Sequence, residues 1–333
     1  MSNRYWQQLG REQVDRVLEV AGVDPGQVQS HTEFTDATFN TVYRIGLRGA
    51  AADLVLKVAP DPSLPTLTYE RGIMRTEVMF YEQSAGHAPV PEVLHADFTR
   101  EVIGSDFLVL TELPGANVRT ERERIGLDDW ARLRRQLGGQ VAALHRVTGT
   151  GFGYPQAALA PSWRIAFLAM VDAILMDADS FAAALPESTA VIREKMWAQA
   201  DLLDAVSVPA LVHFDLWDGN VLMDWTSGHV QVSGLVDGER AFWGDPIADF
   251  VSLALFADIE QDEPFLQAYR SAGGEIDFTS DTRRRLTLYR CYLYLIMLVE
   301  AVPRDFSGPA HERQARYISR ELLAGLEILA AGI

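Results

Sequence analysis

Cysteine is almost missing from this sequence: Cys291 is the only one in 333 residues. A single thiol cannot form a disulfide within the chain, and the apolar neighbours in YRCYLYLIML favour a buried, unreactive side chain. A disulfide-stabilised fold is therefore excluded, and a cytoplasmic protein is the expectation. The opening segment, MSNRYWQQLGREQ, has no apolar core of the kind that a signal peptide carries, in line with that expectation.

Positive charge is also scarce: 29 lysine and arginine residues stand against 46 aspartate and glutamate residues, for a net charge of −17. This balance disfavours nucleic acid and anionic membranes as partners. No apolar run is long enough to span a bilayer, so no transmembrane helix is expected. The total charge does not identify a small ligand, because exposed charges are screened beyond about 8 Å at physiological salt. Nothing in the sequence sets the oligomeric state.

The character of the sequence changes near residue 113. Before it, short apolar runs such as ADLVLKVAP and DFLVLTELPG predict strands, and TYERGIMRTEVMFYEQSAG predicts one helix. After it, amphipathic runs such as LDDWARLRRQLGGQVAALHRV predict helices. We therefore predict an α+β fold with a small β-rich lobe and leading helix over 1–113 and a larger, mostly helical lobe over 114–333. Three helical runs are expected to close the chain, near 247–272, 281–302 and 309–331.

One stretch of the helical region has a different pattern: LVHFDLWDGNVLMDWTSGHVQVSGLVDGERAF, residues 211–242. Short apolar strands flank the polar loop HFDLWDG, and DWTSGH is a hairpin turn in which Gly228 is free to adopt a positive φ. Each strand rises by about 3.3 Å per residue, so a return strand of similar length ends near the start of the first. The hairpin is therefore expected to gather Asp215, Asn220 and Asp237 at one end.

These three side chains suit phosphoryl transfer. Magnesium prefers oxygen ligands, typically one or two carboxylates with phosphates and water, and Asn220 and Asp237 supply such oxygens. Asp215, in the same loop, can accept a proton from a substrate hydroxyl. Lys57, on a predicted strand of the other lobe, can hold phosphates, and Glu77 on the following helix can orient that lysine.

The motifs together resemble the aminoglycoside phosphotransferase and choline kinase-like family, a distant relative of the protein kinases. The loop HFDLWDGN followed by VDGE is similar to its catalytic and metal-binding loops. Four further segments match in the same order, so that the resemblance covers roughly residues 30–260: RTEVMFYEQSAGHAPVPEVL, FLVLTELPG, LGGQVAALHRVTGTGFG and WGDPIADFVSL. The resemblance implies a two-lobed, protein-kinase-like fold and the phosphorylation of a small molecule's hydroxyl by ATP or GTP.

Matching positions in these motifs imply roles for individual residues of the catalytic region. Asp215 corresponds to the catalytic aspartate, and His213 braces the loop that carries it. Asn220 and Asp237 correspond to the Mg²⁺ ligands. Asp249 ties the loop to the helix behind it.

The same resemblance implies a nucleotide site in the first lobe. Lys57 contacts the phosphates and pairs with Glu77, which we favour over Glu70 because of its spacing to PVPEVL. A turn over 36–40 covers the phosphates, and backbone groups near 111–113 receive the purine. The predicted nucleotide-binding residues besides Lys57 and Glu77 are Thr35, Thr38, Asn40, Thr111, Glu112 and Leu113.

Some positions depart from the family pattern. No glycine occurs between Phe34 and Tyr43, so threonine and asparagine side chains would have to replace backbone contacts to phosphate. Phe214 stands where glycine is common, and VDGE differs from the Asp-Phe-Gly of protein kinases. The role of Glu239 stays open: it is either a ligand of the metal or of water, or a contact to the substrate. We interpret His145 as the cation at a helix C-terminus rather than as a catalytic group.

The resemblance and local acidity together favour a hydroxylated cation as substrate, an aminoglycoside antibiotic or an amino sugar. A cluster near 258–263 is more often a solvated face, but it also lies where this family presents acids to its substrates. A choline-like alcohol, homoserine or a neutral sugar stays open, as does a non-catalytic, nucleotide-binding protein. The candidate substrate contacts are Glu239, Asp258, Glu260, Asp262, Glu263 and Glu300.

Overall fold

A five-stranded antiparallel sheet, in the order β1-β2-β3-β5-β4, forms the first lobe. It is seen in a computed structural model that describes residues 5–34, 39–49, 52–225 and 228–332. A helix, α1 (Arg11–Val20), precedes the sheet, and α2 (Ile73–Ser84) lies between its third and fourth strands. The strands are β1 (Val28–Glu33), β2 (Thr41–Leu47), β3 (Leu54–Val58), β4 (Val93–Asp97) and β5 (Phe107–Thr111).

The alternation of side chains along β3 decides where Lys57 points. Leu56 and Val58 pack in one cluster with Val14 and Val17 of α1, on one face of the sheet. Lys57 lies between them in sequence and therefore faces the opposite side, towards α2. Fully burying one aliphatic side chain contributes about 1.5–3 kcal/mol, so a one-residue slip of this strand would be strongly disfavoured. The core under α1 thus fixes the position of the lysine.

The second lobe is mostly helical and surrounds a few short strands, which confirms the predicted α+β architecture with a β-rich and a helical lobe. Helices α4 and α8 pack closely, because a Cβ on Gly138 would lie 2.4 Å from the carbonyl oxygen of Phe265. The helices are α3 (Val118–Glu121), α4 (Leu127–Leu144), α5 (Trp163–Ser180), α6 (Thr189–Trp197), α7 (Asp249–Leu253), α8 (Glu263–Ser271), α9 (Ser280–Glu300) and α10 (Pro309–Ala331). The strands are β6 (Ala116–Asn117), β7 (Ala210–Val212), β8 (Val221–Asp224), β9 (Gln231–Leu235) and β10 (Phe242–Gly244).

The prediction of one helical run over 247–272 is wrong. The run consists of α7, an irregular segment and α8. Asp262 caps α8 by accepting a hydrogen bond from the backbone of Phe265, and Pro264 stands in the first turn. Proline is tolerated there because its missing N–H has no partner within the helix anyway. Within the described ranges, none of the helices has the length and apolar composition needed to cross a membrane.

The β8–β9 hairpin has the predicted geometry. Its strands are antiparallel, with Val221 opposite Leu235. Gly228 in the turn has a φ of +79°. The backbone N–H of Val236 donates to the carbonyl of Asn220 at 3.0 Å. The return strand therefore delivers Asp237 next to Asn220, as the strand lengths predict.

Candidate active site

The ammonium group of Lys57 lies between three carboxylates at the junction of the lobes. Its Nζ is 2.7 Å from Glu77, 2.5 Å from Asp237 and 3.1 Å from Glu239. Burial alone would lower the pKa of Lys57, but the three carboxylates outweigh burial and raise it well above the ordinary value. Lys57 is therefore positively charged, and its helix partner is Glu77. Glu70 pairs with Arg304 instead, at 2.5 Å.

The three acids exceed the charge that one lysine can balance. Burial raises the pKa of Glu77 to about 7 and also raises the pKa of Glu239. For Asp237, burial acts in the same direction, but Lys57 outweighs it and the pKa is lowered. One carboxylate oxygen of each acid lies within 4.8 Å of the others. Such a set of hard oxygen donors with surplus negative charge fits a divalent cation such as Mg²⁺.

Helix α2 fixes the segment that carries Asp237. The hydroxyl of Tyr81 donates to Glu77 at 2.7 Å and accepts a hydrogen bond from the backbone N–H of Asp237 at 3.0 Å. Asp237 has a φ of +65°, which is uncommon for a residue other than glycine. A Cβ on Gly238 would lie 2.2 Å from the ring of Phe80, so only glycine allows this approach. The backbone of Asp237 and Gly238 thus rests directly on α2, the helix that carries Glu77.

The catalytic loop is held from behind by α7. Asp249 accepts hydrogen bonds from the backbone N–H groups of His213, at 3.2 Å, and Phe214, at 2.6 Å. Phe214 has a φ of +63°, which explains why glycine is common there. Its ring is fully buried, with its centroid 5.0 Å from that of Phe242, so packing offsets the backbone strain. His145 also contacts Asp249, at 2.9 Å through Nε2.

His213 has both ring nitrogens engaged. Nδ1 accepts a hydrogen bond from the backbone N–H of Asp215 at 3.2 Å, so the proton resides on Nε2, which donates to the carbonyl of Val236 at 3.1 Å. Burial lowers the pKa of His213, which keeps the ring neutral. The ring therefore connects the catalytic loop to the segment before Asp237. This geometry suits a bracing residue and leaves no nitrogen for proton transfer.

Asp215 is half-buried in the loop between β7 and β8. Asn220 donates its side-chain N–H to the carbonyl of Asp215 at 2.9 Å, which fixes the bend of the loop. Burial raises the pKa of the Asp215 carboxyl to about 6, against the opposing effect of Arg240. The Nε atom of Arg240 is 3.9 Å from the carboxylate. A carboxylate with a pKa near the working pH is a more effective proton acceptor than an ordinary aspartate.

The predicted nucleotide-binding residues have mixed outcomes. Thr35 and Thr38 lie outside the described residues. Asn40 donates to Glu239 at 2.6 Å, while its side-chain oxygen is buried without a hydrogen-bond partner in the described part of the chain. Asn40 therefore reaches the acidic cluster and still offers an acceptor to a bound group.

The expectation that backbone groups near 111–113 receive the purine stays a prediction, although two of the three N–H groups already have partners. The backbone N–H of Thr111 already donates to Glu92 at 3.0 Å, and that of Glu112 to Asp53 at 2.9 Å. These bonds continue the pairing of β5 with its neighbours β4 and β3 at the point where Thr111 ends β5. The carboxylate of Glu112 pairs with Arg44 at 2.9 Å. Of the three predicted residues, Leu113 retains a backbone N–H without a partner among the described residues.

The acids near the start of α8 are not brought to Asp215 by any contact within the described ranges. Glu260 pairs with Arg283 at 2.7 Å, and Asp262 pairs with Arg134 at 2.6 Å. Asp258 accepts a hydrogen bond from the backbone of Glu260, and Glu263 is the first residue of α8. The sequence does not reveal these arginine partners, which are distant along the chain.

Glu300 has a different position from the other proposed substrate acids. It contacts Arg240 at 2.7 Å and Arg304 at 3.1 Å, and Arg240 in turn approaches Asp215. Glu300 also lines a cavity of about 380 Å³ between α9 and α10, together with Asp305, Phe306 and His311. It therefore connects this cavity, through Arg240, to Asp215.

Several residues of the site were missed by the sequence reasoning. Arg240 follows the VDGE motif directly, so its position beside the acids was a usable signal. Tyr81 lies one helical turn after Glu77, which was a weaker signal. His145 was assigned to a helix end, where it does lie, but its ring contacts Asp249 and the hydroxyl of Tyr269. Arg304 gave no local signal at all.

A two-lobed fold with a strand lysine, a helix glutamate and a loop carboxylate is the arrangement of kinases with the protein-kinase-like fold. The family model described as "Phosphotransferase enzyme family" matches residues 31–289, which is more than half of the chain. The chain belongs to this phosphotransferase family and is a small-molecule kinase, which confirms the resemblance seen in the motifs. The comparison with curated protein sequences gave no match.

Solved structures show the same fold. The aminoglycoside phosphotransferase APH(4)-Ia is 16% identical, with coverage of 96% of this chain and 99% of that chain and a TM-score of 0.65. Macrolide 2'-phosphotransferase MphH from Brachybacterium faecium is 19% identical, with 92% and 98% coverage and a TM-score of 0.57. Plasmodium vivax ethanolamine kinase is 12% identical, with 91% and 84% coverage and a TM-score of 0.62. These similarities confirm the protein-kinase-like fold.

Proposed function

We propose that the protein transfers the γ-phosphate of ATP, or of GTP, to a hydroxyl group of a small molecule. The observation that carries the proposal is the meeting of the buried Lys57 and Glu77 with the partly exposed Asp237 in one cluster, with Asp215 in the neighbouring loop. Phosphoryl transfer depends on positioning and on electrostatic stabilisation, and this cluster supplies both. A cytoplasmic location, where ATP is abundant, fits this reaction.

Each side chain has a distinct task in the proposed reaction. Lys57, oriented by Glu77, binds the nucleotide phosphates. Asp215 accepts the proton of the attacking hydroxyl as its oxygen bonds to the γ-phosphorus, while the bond from that phosphorus to the β–γ bridging oxygen breaks and the nucleoside diphosphate leaves. Asn220 and Asp237 hold Mg²⁺, and Glu239 completes the acidic surroundings. When bound, the metal ion neutralises phosphate charge.

The nucleotide is proposed from the family and its solved structures. Aminoglycoside phosphotransferase APH(2'')-Ib has been solved with ADP bound, and APH(2")-IIa with streptomycin and ATP. A 2'-phosphotransferase-IIIa mutant has been solved with GDP. ATP is our first choice, and a direct comparison of ATP with GTP decides the preference.

The acceptor is proposed to be a hydroxylated amine, an aminoglycoside or an amino sugar. APH(2")-IIa binds streptomycin and gentamicin, and the P. vivax protein is an ethanolamine kinase, so amine-bearing acceptors occur among the structural relatives. The cavity beside Glu300 combines carboxylates with the aromatic rings of Phe306 and His311, which suits an ammonium group. Of the two acids that line this cavity, Glu300 is already paired with Arg240 and Arg304, so Asp305 is the acid that we assign to the amine. Phosphorylation of such an antibiotic would confer resistance.

The test is consumption of ATP, with and without Mg²⁺, by the purified protein and a panel of hydroxylated substrates. We expect magnesium-dependent transfer to at least one amine, detected by mass spectrometry as a phosphorylated product. Asp237→Ala should abolish the magnesium dependence of nucleotide binding in titration calorimetry. Nucleotide binding with no transfer to any member of the panel would support a non-catalytic nucleotide-binding protein instead. Equal turnover of an amine and its N-acetyl form would contradict the assignment of a cationic acceptor.

A further inference from the structure

Arg304, in the segment between α9 and α10, contacts both lobes from a buried position. It is 7% exposed. Its guanidinium group binds Glu70 of the first lobe at 2.5 Å and Glu300 of the second lobe at 3.1 Å. The same group lies 4.7 Å from the ring centroid of Phe39, which also belongs to the first lobe. One side chain therefore joins the end of α9 to two segments of the first lobe that are distant in sequence.

The contact with Phe39 holds the described end, Phe39–Asn40, of the turn predicted over 36–40, which we call the phosphate-side turn. Phe39 is buried, and the next residue, Asn40, donates a hydrogen bond to Glu239 at 2.6 Å. The end of the turn is thus attached to the second lobe at two adjacent positions. No glycine occurs from residue 34 to 43, so this segment lacks the backbone freedom that glycine provides. Side-chain contacts therefore determine its position.

The contacts with the two glutamates extend towards the base. Glu70 is held by the backbone N–H of Leu67 at 2.7 Å. Glu300 binds Arg240 at 2.7 Å, and Arg240 lies 3.9 Å from Asp215. Two arginines and two glutamates balance in charge along this path. Removing one member of a buried ionic network leaves another unpaired, so the network favours one relative position of the lobes.

We propose that Arg304 is an inter-lobe positioning residue, which sets the place of the Phe39–Asn40 segment over the nucleotide phosphates. This inference rests on the proposed function, because it assumes that a nucleotide binds between the lobes. Arg304 acts through Phe39 and Glu300 and does not itself contact the reacting atoms. Its effect should therefore grow with the number of phosphates on the ligand and be absent for the nucleoside.

Arg134 provides a matched control. It is 3% exposed, binds Asp262 at 2.6 Å, and lies 5.3 Å from the ring centroid of Phe265. It has the same combination of a buried ion pair and a ring contact as Arg304. All of its partners belong to the helical lobe, so its loss should affect stability without affecting the nucleotide.

The experiment compares binding of adenosine and of magnesium with a non-hydrolysable ATP analogue by titration calorimetry, for the wild type, Arg304→Gln, Arg304→Lys and Arg134→Gln. We expect Arg304→Gln to weaken binding of the analogue on the order of ten-fold, within the usual range for coupled sites, and to change adenosine binding less than about two-fold. The affinity of Arg304→Lys for the analogue should lie between those of the wild type and Arg304→Gln. Arg134→Gln should lower the melting temperature and leave both affinities unchanged.

Equal weakening for adenosine and the analogue, or equal effects of Arg304→Gln and Arg134→Gln, would overturn the proposal. If Arg304→Gln does not fold, Phe39→Leu decides the matter, because it removes the ring contact and keeps both ion pairs. That variant should again bind the analogue more weakly and bind adenosine with unchanged affinity. Unchanged binding of the analogue would refute the inference. A wild-type protein that binds neither ligand would instead overturn the proposed function, and this inference with it.

Discussion

The catalytic loop and the phosphate-side turn flank the same site, but different kinds of contact hold them. The loop is bound through its backbone: Asp249 accepts two N–H groups, and Ser252 accepts the N–H of Leu216 at 3.0 Å. These partners all belong to the helical lobe. The described end of the turn is bound through side chains: Phe39 contacts Tyr5 of its own lobe and Arg304 across the lobe junction, and Asn40 contacts Glu239 across the junction. The proposed base is therefore pre-organised within one lobe, whereas the phosphate site depends on how the two lobes meet.

The largest expected effect is that of Asp215→Asn, which tests the loop side of this comparison. Losing a positioned base costs typically about 10²–10⁴-fold in rate, and we expect a fall of that order in kcat. Nucleotide affinity should be nearly unchanged, because Lys57 and Asp237 are untouched. Rapid-quench kinetics and calorimetry on the same preparation measure both quantities. Near-normal turnover of the folded variant would remove Asp215 from the catalytic role.

Asp249→Asn should have the next largest effect. The amide retains one acceptor oxygen, so one of the two loop N–H groups loses its partner and the loop shifts. A displacement of about 1 Å costs roughly 10²-fold in rate, so we expect kcat to fall about 10–100-fold with little change in the KM for ATP. If the KM for ATP rises as much as kcat falls, the catalytic loop and the phosphate-side turn are not held independently of each other.

Glu77→Gln tests whether the pairing of Glu77 with Lys57 supports nucleotide binding. Charged hydrogen bonds contribute about 1.5–3 kcal/mol, so a weaker partner for Lys57 should raise the KM for ATP by roughly ten-fold and lower kcat less. Steady-state kinetics at saturating acceptor separate the two constants. Glu82→Gln is the matched control, because Glu82 lies on the same helix with an exposed side chain. An equal effect of both substitutions would point to the helix rather than to the Lys57 pair.

The smallest effect expected is the shift that Arg240→Gln causes in the pH dependence of catalysis by Asp215. The raised pKa of Asp215, about 6, means that the carboxyl is protonated and inactive below that pH. The ratio kcat/KM should fall about ten-fold per pH unit below pH 6 and be level above it. Arg240→Gln should move this limb to higher pH, since the guanidinium favours the ionised form. A limb that stays in place in the variant would show that another group controls the profile.

Sequence reasoning worked best where the chemistry lies within one short segment or one strand. The positions of Asp215, Asn220 and Asp237 followed from strand lengths and one turn, and the pair of Lys57 with Glu77 followed from the family resemblance and from the spacing of Glu77 to PVPEVL. Local periodicity and covalent geometry limit such arrangements to a few possibilities. The division into a β-rich lobe and a helical lobe followed from the same patterns.

Contacts between distant segments could not be predicted. Arg304 binds Glu70 across 234 positions of the chain, and nothing near either residue indicates the other. The arginines beside Glu260 and Asp262 were hidden in the same way, so those acids were assigned to a substrate without knowledge of their partners. The break in the run over 247–272 was different, because Asp262 and Pro264 were visible signals for a new helix start.

Phe214 gives the catalytic loop a dependence on the hydrophobic core that glycine would not create. Holding a residue other than glycine in the left-handed region costs roughly 1–2 kcal/mol, and burying the ring recovers more than that, since removing a buried phenylalanine costs about 3–5 kcal/mol. The ring packs on Phe242 and Tyr292, with centroids 5.0 and 5.7 Å away. On heating, loosening of these aromatic contacts releases the strained backbone beside Asp215. Inactivation and loss of core order should therefore occur at the same temperature, so that activity itself reports the thermal integrity of the helical lobe.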